Sequence, residues 1–140
     1  MKRDLVEKPV RVLIVDDLSR SRDGLRTLLE TWPKVIEVVG EAADGLEAIL
    51  MVEKGQPDVV LMDARMPVLD GLEATRLIKH RWPEVRVIIL TMYATHRINA
   101  LDAGADAFLV KGCPADTLLK TILYSGHPTS TQGDSPKAAQ

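Results

Sequence analysis

Three carboxylates, a hydroxyl and a lysine follow four apolar runs of this chain. Asp16 and Asp17 come after residues 10–15, Asp63 after 59–62, Thr91 after 85–90 and Lys111 after 107–110. If those runs are parallel strands of one sheet, all five side chains meet at its carboxyl edge, where open α/β sheets bind ligands. Three clustered carboxylates suit a hard divalent cation. A hydroxyl and an ammonium suit the oxygens of a phosphoryl group. An aspartate at the end of a buried strand has a fixed backbone and an exposed head. It can attack a phosphoryl group and carry it as an acyl phosphate. Asp16 and Asp17 can hold a magnesium ion that bridges Asp63 and the incoming oxygens, because Mg²⁺ keeps several waters and needs only one or two protein carboxylates.

Each of these residues also has a plainer role. Asp16-Asp17 could cap a helix and complement its dipole. Thr91 is β-branched and suits a strand on that ground alone. Most lysines are solvated surface charges. What favours the site is that all five stand in register. Lys111 also follows Phe108-Leu109-Val110, which would hold its stem and aim its ammonium inward.

The elements that must position these groups alternate along the chain. Residues 10–15 are nearly all apolar and rich in β-branched side chains, as a strand buried on both faces should be. A helix is predicted over 19–31, capped by Ser19 or Ser21 and stopped at Trp32-Pro33. A strand over 35–40 and a helix over 44–54 follow, then a strand over 59–62 and a helix over 72–81 that ends at Trp82-Pro83. The last units are a strand over 85–90, a helix over 95–103 ended by Gly104, a strand over 107–110 and a helix over 114–124. Pro114 fits the first turn of that helix, where its missing N–H costs nothing. Five strand–helix units predict a doubly wound parallel sheet with right-handed crossovers and helices on both faces. The first strand should be central. The two Trp-Pro pairs are similar helix stops, not a repeat.

Composition fits this organisation. The chain has 140 residues, 46% of them hydrophobic, and a formal charge of −2. That suits one domain, here residues 10–124, after a lead-in over 1–9. Nothing in the charge argues for a nucleic-acid-binding face. No apolar run approaches a membrane span or a signal-peptide core, so a cytoplasmic protein with no membrane partner is expected. Residues 125–140 turn polar and rich in Ser, Thr, Gly and Pro, as a flexible tail or an interdomain linker would be. One cysteine, Cys113, excludes an internal disulfide; Lys111 nearby could activate its thiol, and otherwise it is a small residue in a turn. His80, His96 and His127 have no metal-ligand spacing and are expected at the surface. No G-x-x-x-x-G-K-[ST] loop is present, which argues against a nucleotide-binding ATPase.

Taken together, Asp16-Asp17, the stretch Asp63-Ala-Arg-Met-Pro-Val-Leu-Asp-Gly, Thr91 and Gly104-Ala-Asp-Ala-Phe-Leu-Val-Lys111 resemble the receiver domain of bacterial two-component response regulators. The resemblance covers residues 10 to about 124. It implies a CheY-like, flavodoxin-like sheet of five strands in the order 2-1-3-4-5, with five helices. It implies that Asp63 is the phosphoacceptor and that Asp17, Asp63 and the backbone carbonyl of Arg65 ligate Mg²⁺, with Asp16 contributing, often through water. It implies a sensor histidine kinase as partner, and a switch in which the phosphate draws Thr91 inward and an aromatic on the fifth strand follows. That aromatic is Phe108, which lacks a hydroxyl and could equally be a core residue. Arg65 and Tyr93 border the acyl phosphate in this family, and a bulky pair there should slow hydrolysis. Lys111 is followed by Gly112, where many receivers carry a cis-proline. Tyr93 and the Phe-Leu-Val-Lys-Gly ending resemble receivers of the NarL/FixJ class, which usually precede a LuxR-type helix-turn-helix domain.

The resemblance implies a signalling domain that catalyses only its own phosphorylation and dephosphorylation. A phosphohydrolase with an aspartyl nucleophile needs an acid/base Asp where this chain has Arg65. A docking module that takes no phosphate would have little use for the five site residues. The family's usual output face would include Asn99, Leu101, Asp102, Phe108 and residues of 114–124, whereas Glu73, Leu77 and Ile78 read as packing or solvated face. If the tail is a linker, the output is transcription through a DNA-binding domain beyond this chain. If it is a true end, the output is protein–protein contact by a stand-alone receiver. Homodimerisation on phosphorylation is compatible with either.

Overall fold

A computed structural model of the chain describes residues 8–124. The sequence expectations for 1–7 and 125–140, including His127, lie outside the described residues. Five strands, β1 (Val10–Val15), β2 (Ile36–Ala42), β3 (Val59–Met62), β4 (Arg86–Thr91) and β5 (Ala107–Val110), form one parallel sheet in the order β2-β1-β3-β4-β5. Helices α1 (Ser19–Leu29), α2 (Gly45–Gly55), α3 (Gly71–Arg81), α4 (Arg97–Asp102) and α5 (Ala115–Tyr124) cover its two faces. The doubly wound α/β architecture is therefore as expected. The first strand is interior, but the middle place belongs to β3.

Period-two alternation divides the core. Val12 and Ile14 of β1, Val59 and Leu61 of β3, and Ile88 of β4 join Leu29 of α1 and Leu118 and Ile122 of α5. Leu13, Val15, Val60, Met62, Val87 and Ile89 face the other way, onto Ala48 and Val52 of α2, Ala74 and Ile78 of α3, and Ala100 of α4. Strands buried on both faces have no polar side to expose, which is why they read as unbroken apolar runs. Burying each such side chain contributes about 1.5–3 kcal/mol.

Several boundaries differ from the sequence reading. α1 stops at Leu29, because Thr31 N–H and Trp32 N–H turn back to the carbonyls of Leu28 and Leu29 and tighten the last turn. Neither Ser19 nor Ser21 caps it. Leu18 is the N-cap residue, and its own N–H donates to Asp16 Oδ1 at 3.0 Å. β2 begins and ends one to two residues later than expected, and an extra residue, Val39, is accommodated where the β1–β2 register slips between Val12 and Leu13. The fourth helix is split: a 3₁₀ turn over Ala94–His96 leads into a short α4. α5 starts at Ala115, with the Pro114 carbonyl accepting from Thr117 and Leu118 N–H.

α2 and α3 are capped by aspartates, Asp44 and Asp70. Asp44 accepts from Glu47 N–H at 2.8 Å, and Glu47 returns the bond by accepting from Ala43 N–H. Asp70 accepts from Glu73 N–H at 3.0 Å. These caps set where α3 begins, and α3 begins against the phosphoacceptor candidate.

Candidate functional site

Strand register brings the acidic residues together. Val15 of β1 pairs with Met62 of β3, and Asp63 N–H donates to the Val15 carbonyl at 2.9 Å. Asp16 N–H continues the ladder on the other side, to Ala42 of β2 at 3.1 Å. Asp16, Asp17 and Asp63 each offer a carboxylate oxygen, all within 4.8 Å of one another. On β4, the strand next to β3, Thr91 pairs with Val110 of β5, and Lys111 N–H donates to the Thr91 carbonyl at 2.7 Å. The Lys111 stem is largely buried, and its ammonium reaches across to Asp16 Oδ2 at 2.6 Å and Asp63 Oδ2 at 3.7 Å. Four of the five expected side chains thus converge.

The loop after β3 is held by close backbone approach. Gly71 N–H donates to the Ala64 carbonyl at 2.9 Å, and a Cβ at Gly71 would overlap the Asp63 carbonyl. Gly45, at the start of α2, binds the Leu69 carbonyl in the same way and is equally crowded. Only glycine lets the start of α3 come this near the Asp63 backbone and the start of α2 this near the Leu69 backbone in the loop that follows. Between them, Leu69 N–H donates to the Pro67 carbonyl across Val68, whose φ is 70°. That is a three-residue turn at positive φ, a strained arrangement for a β-branched residue.

The three carboxylates are not equivalent. Asp16 is buried at 1% exposure, and both of its oxygens are engaged, Oδ1 by Leu18 N–H and Oδ2 by Lys111. Asp17 is exposed. Asp63 is 9% exposed, so its head is mostly buried, not exposed as the sequence led one to expect. Burial pushes the Asp63 carboxyl above the usual aspartate range. The Lys111 ammonium opposes that shift, the Asp16 and Asp17 charges add to it, and a hydrogen bond from Arg65 N–H opposes it. Three carboxylates face one ammonium, and their oxygens are hard donors without sulfur or imidazole among them. That donor set fits a divalent cation of the magnesium class. Asp17 and Asp63 have the freer oxygens.

Thr91 lies at the same sheet edge, 2% exposed, but its hydroxyl is engaged elsewhere. Oγ1 lies 3.2 Å from His96 Nδ1, and Tyr93 N–H approaches it at 3.5 Å. The Tyr93 and His96 rings meet edge to face, with centroids 5.6 Å apart. His96 is half-buried and is not the free surface residue the sequence led one to expect. Its spacing from Thr91 gave no signal, since contact depends on the 3₁₀ turn that folds it back. Arg65 and Tyr93 are both exposed, Tyr93 at 61%. Phe108 is half-buried and packs against the core cluster that contains Ala100. Burial raises the Cys113 thiol pKa, and the Lys111 ammonium is committed to Asp16, so the activated-thiol reading fails. The Lys111–Gly112 peptide is not cis, and Gly112 sits at φ 91°.

A brace behind the acidic cluster had no sequence signal. Arg22 of α1 donates to the Asp16 carbonyl at 2.7 Å and to Glu41 Oε1 at 3.0 Å, while Arg26 donates to Glu41 Oε2 at 2.6 Å. The Arg26 bond chiefly holds the Glu41 carboxyl below its usual range. The pair of arginines ties α1 to β2 and fixes the backbone from which Asp16 and Asp17 project.

Residues 12–123 match the family model of the response regulator receiver domain. The chain is 43% identical over 119 residues to YhcZ of Bacillus subtilis, an uncharacterized transcriptional regulatory protein, a match covering 84% of this chain and 55% of that one. It spans about half the length of the curated relatives it matches. Among solved structures, a two-component response regulator of the LuxR family from Aurantimonas sp. SI85-9A1 superposes with a TM-score of 0.76 at 35% identity, over 82% of this chain and 83% of that one. The CheX–CheY–BeF3–Mg complex from Borrelia burgdorferi superposes with a TM-score of 0.75 at 27% identity, over 82% of this chain and 87% of that one.

Proposed function

This chain belongs to the response regulator receiver domain family, and from that premise we propose that it accepts a phosphoryl group on Asp63 from a sensor histidine kinase and changes conformation to control an output. The observation that carries the reading is the convergence of Asp16, Asp17, Asp63 and Lys111 at the carboxyl edge of the sheet. A carboxylate oxygen of Asp63 forms the new bond to phosphorus as the donor's bond breaks and the donor keeps the electron pair. The strand backbone and the Gly71 contact hold that oxygen in place. Lys111 moves its ammonium from Asp16 toward the incoming oxygens. Thr91 donates a hydrogen bond from its hydroxyl to one of them. Asp17, Asp63 and the Arg65 backbone carbonyl, with Asp16 contributing, would hold Mg²⁺, which when bound would neutralise the charge that builds on the phosphoryl oxygens.

Arg65 and Tyr93 restrict water near the acyl phosphate and lengthen its life. Phe108 follows Thr91 in the switch, through the β4–β5 pairing that joins Ile89 to Phe108 and Thr91 to Val110. YhcZ is named a transcriptional regulator and extends well beyond the matched region, which supports an output through a DNA-binding domain outside this chain. A homodimer formed on phosphorylation would serve that output. Among the described residues no helix is long and apolar enough to cross a membrane. The test is phosphoryl uptake from an autophosphorylated sensor kinase or from acetyl phosphate. Uptake that requires Mg²⁺ and stops on chelation supports the reading, and uptake that ignores the metal contradicts the metal assignment.

A further inference from the structure

We propose that His96 is a positioning residue that latches Thr91 in the unphosphorylated protein, its Nδ1 accepting the Thr91 hydroxyl proton. This inference rests on the reading of Thr91 as a ligand for a phosphoryl oxygen. A threonine hydroxyl has one proton and two lone pairs. In this structure Tyr93 N–H lies 3.5 Å from Oγ1 and takes one lone pair, and His96 Nδ1 lies 3.2 Å away, where a ring protonated on Nε2 accepts a hydrogen bond from the hydroxyl. A phosphoryl oxygen beside Asp63 is an acceptor and needs that same proton. Thr91 cannot serve both, so phosphoryl binding must break the bond to His96.

The break has a route to the surface. His96 closes the 3₁₀ turn that runs directly into α4, and its ring packs edge to face with Tyr93. Releasing His96 frees Tyr93 and the first turn of α4 together. The exposed side chains there include Met92, Tyr93, Ile98 and Leu101, all apolar or aromatic. One buried hydroxyl therefore couples the occupancy of the site to the exposed apolar surface at the start of α4. Because the latch must open before the ligand binds, it lowers apparent affinity by the fraction of protein held closed. A neutral hydrogen bond is worth about a two- to tenfold change in such an equilibrium.

The test uses beryllofluoride with Mg²⁺ as the phosphoryl probe and nitrogen NMR of the histidine ring. In the resting protein at mildly alkaline pH, His96 should be the tautomer with its proton on Nε2 and with Nδ1 accepting a hydrogen bond. The Nδ1 signal should shift when beryllofluoride binds. His96→Ala should bind beryllofluoride about two- to tenfold more tightly than the wild type, and His96→Asn, which keeps an acceptor near the Nδ1 position, should return most of the way to the wild-type value. Equal affinities in all three proteins, or a proton on Nδ1 at rest, overturn the latch and leave the phosphoacceptor reading standing. Failure of the wild type to bind beryllofluoride with Mg²⁺ present overturns both.

Discussion

The Lys111 ammonium lies 2.6 Å from Asp16 Oδ2 and only 3.7 Å from Asp63 Oδ2, so at rest it neutralises Asp16 in preference to the phosphoacceptor candidate. Asp16 is almost wholly buried, and a buried carboxylate without a partner is costly. Lys111→Ala should therefore destabilise the fold by about 3 kcal/mol, the low end for breaking a buried pair, because Lys111 retains some solvent access. Mg²⁺ should restore part of that loss by replacing the missing charge. Urea denaturation of both proteins with and without Mg²⁺ checks this; an equal loss in the two conditions would separate Asp16 from the metal.

Asp63 carries the opposite kind of cost. Its carboxyl is raised in the folded protein, by burial first and then by the Asp16 and Asp17 charges. The folded state thus holds its proton to a higher pH than the unfolded chain, whose aspartates titrate near about 3.9. Between those two values the folded state binds more protons, so stability falls as pH rises through the window. Asp63→Asn removes this contribution. Without divalent metal it should be more stable than the wild type at neutral pH, with the gap closing as pH falls to about 4. Thermal melts across that range decide it, and a gap independent of pH would sink the idea.

Val68 sits at φ 70° and is 77% exposed, so its side chain gains little from packing while its backbone is strained. A non-glycine residue in this region costs about 1–2 kcal/mol. Val68→Gly gives back part of that gain through the greater freedom of an unfolded glycine. The net prediction is stabilisation by roughly 0.5–1 kcal/mol, read from the denaturation midpoint at unchanged slope.

Gly71 predicts the reverse. Its missing Cβ leaves room for the Asp63 carbonyl, which cannot move without shifting β3. Gly71→Ala should cost about 1–3 kcal/mol, the range for overpacking, and should slow phosphoryl uptake by displacing the Asp63 carboxylate. Normal uptake in a destabilised protein would mean that the contact serves only the fold.

Tyr93 is exposed at 61% and supports His96 edge to face. If it also shields the acyl phosphate, Tyr93→Ala should shorten the phosphoprotein half-life several-fold, and Arg65→Ala should do the same. Following the decay of the phosphorylated form by mass spectrometry measures this. A wild-type half-life of seconds or less would contradict the shielding role of both.

The sheet and its edge were legible because their signals are local. Val10–Val15 and Val59–Met62 announce strands by composition, and an Asp that directly follows such a run must emerge at its carboxyl end. What was not legible depends on tertiary distances. Asp16 and Asp63 stand at similar places on neighbouring strands, and nothing in their spacing says which one Lys111 prefers. Arg22 reaches the Asp16 carbonyl only because α1 packs back along β1. His96 reaches Thr91 only because the fourth helix opens as a 3₁₀ turn, whereas a regular helix from residue 95 was the simpler expectation. Ser19 looked like a cap by type, but the Asp16 carboxylate takes the Leu18 N–H from inside the site.

The most direct measurement is intact mass of the wild type and of Asp63→Asn after incubation with acetyl phosphate and Mg²⁺. One phosphoryl group is expected on the wild type and none on the variant. No adduct on a wild type that neither binds Mg²⁺ nor takes phosphate from a kinase would contradict it and leave a docking module that takes no phosphate. An adduct that persists in Asp63→Asn would place the acceptor elsewhere.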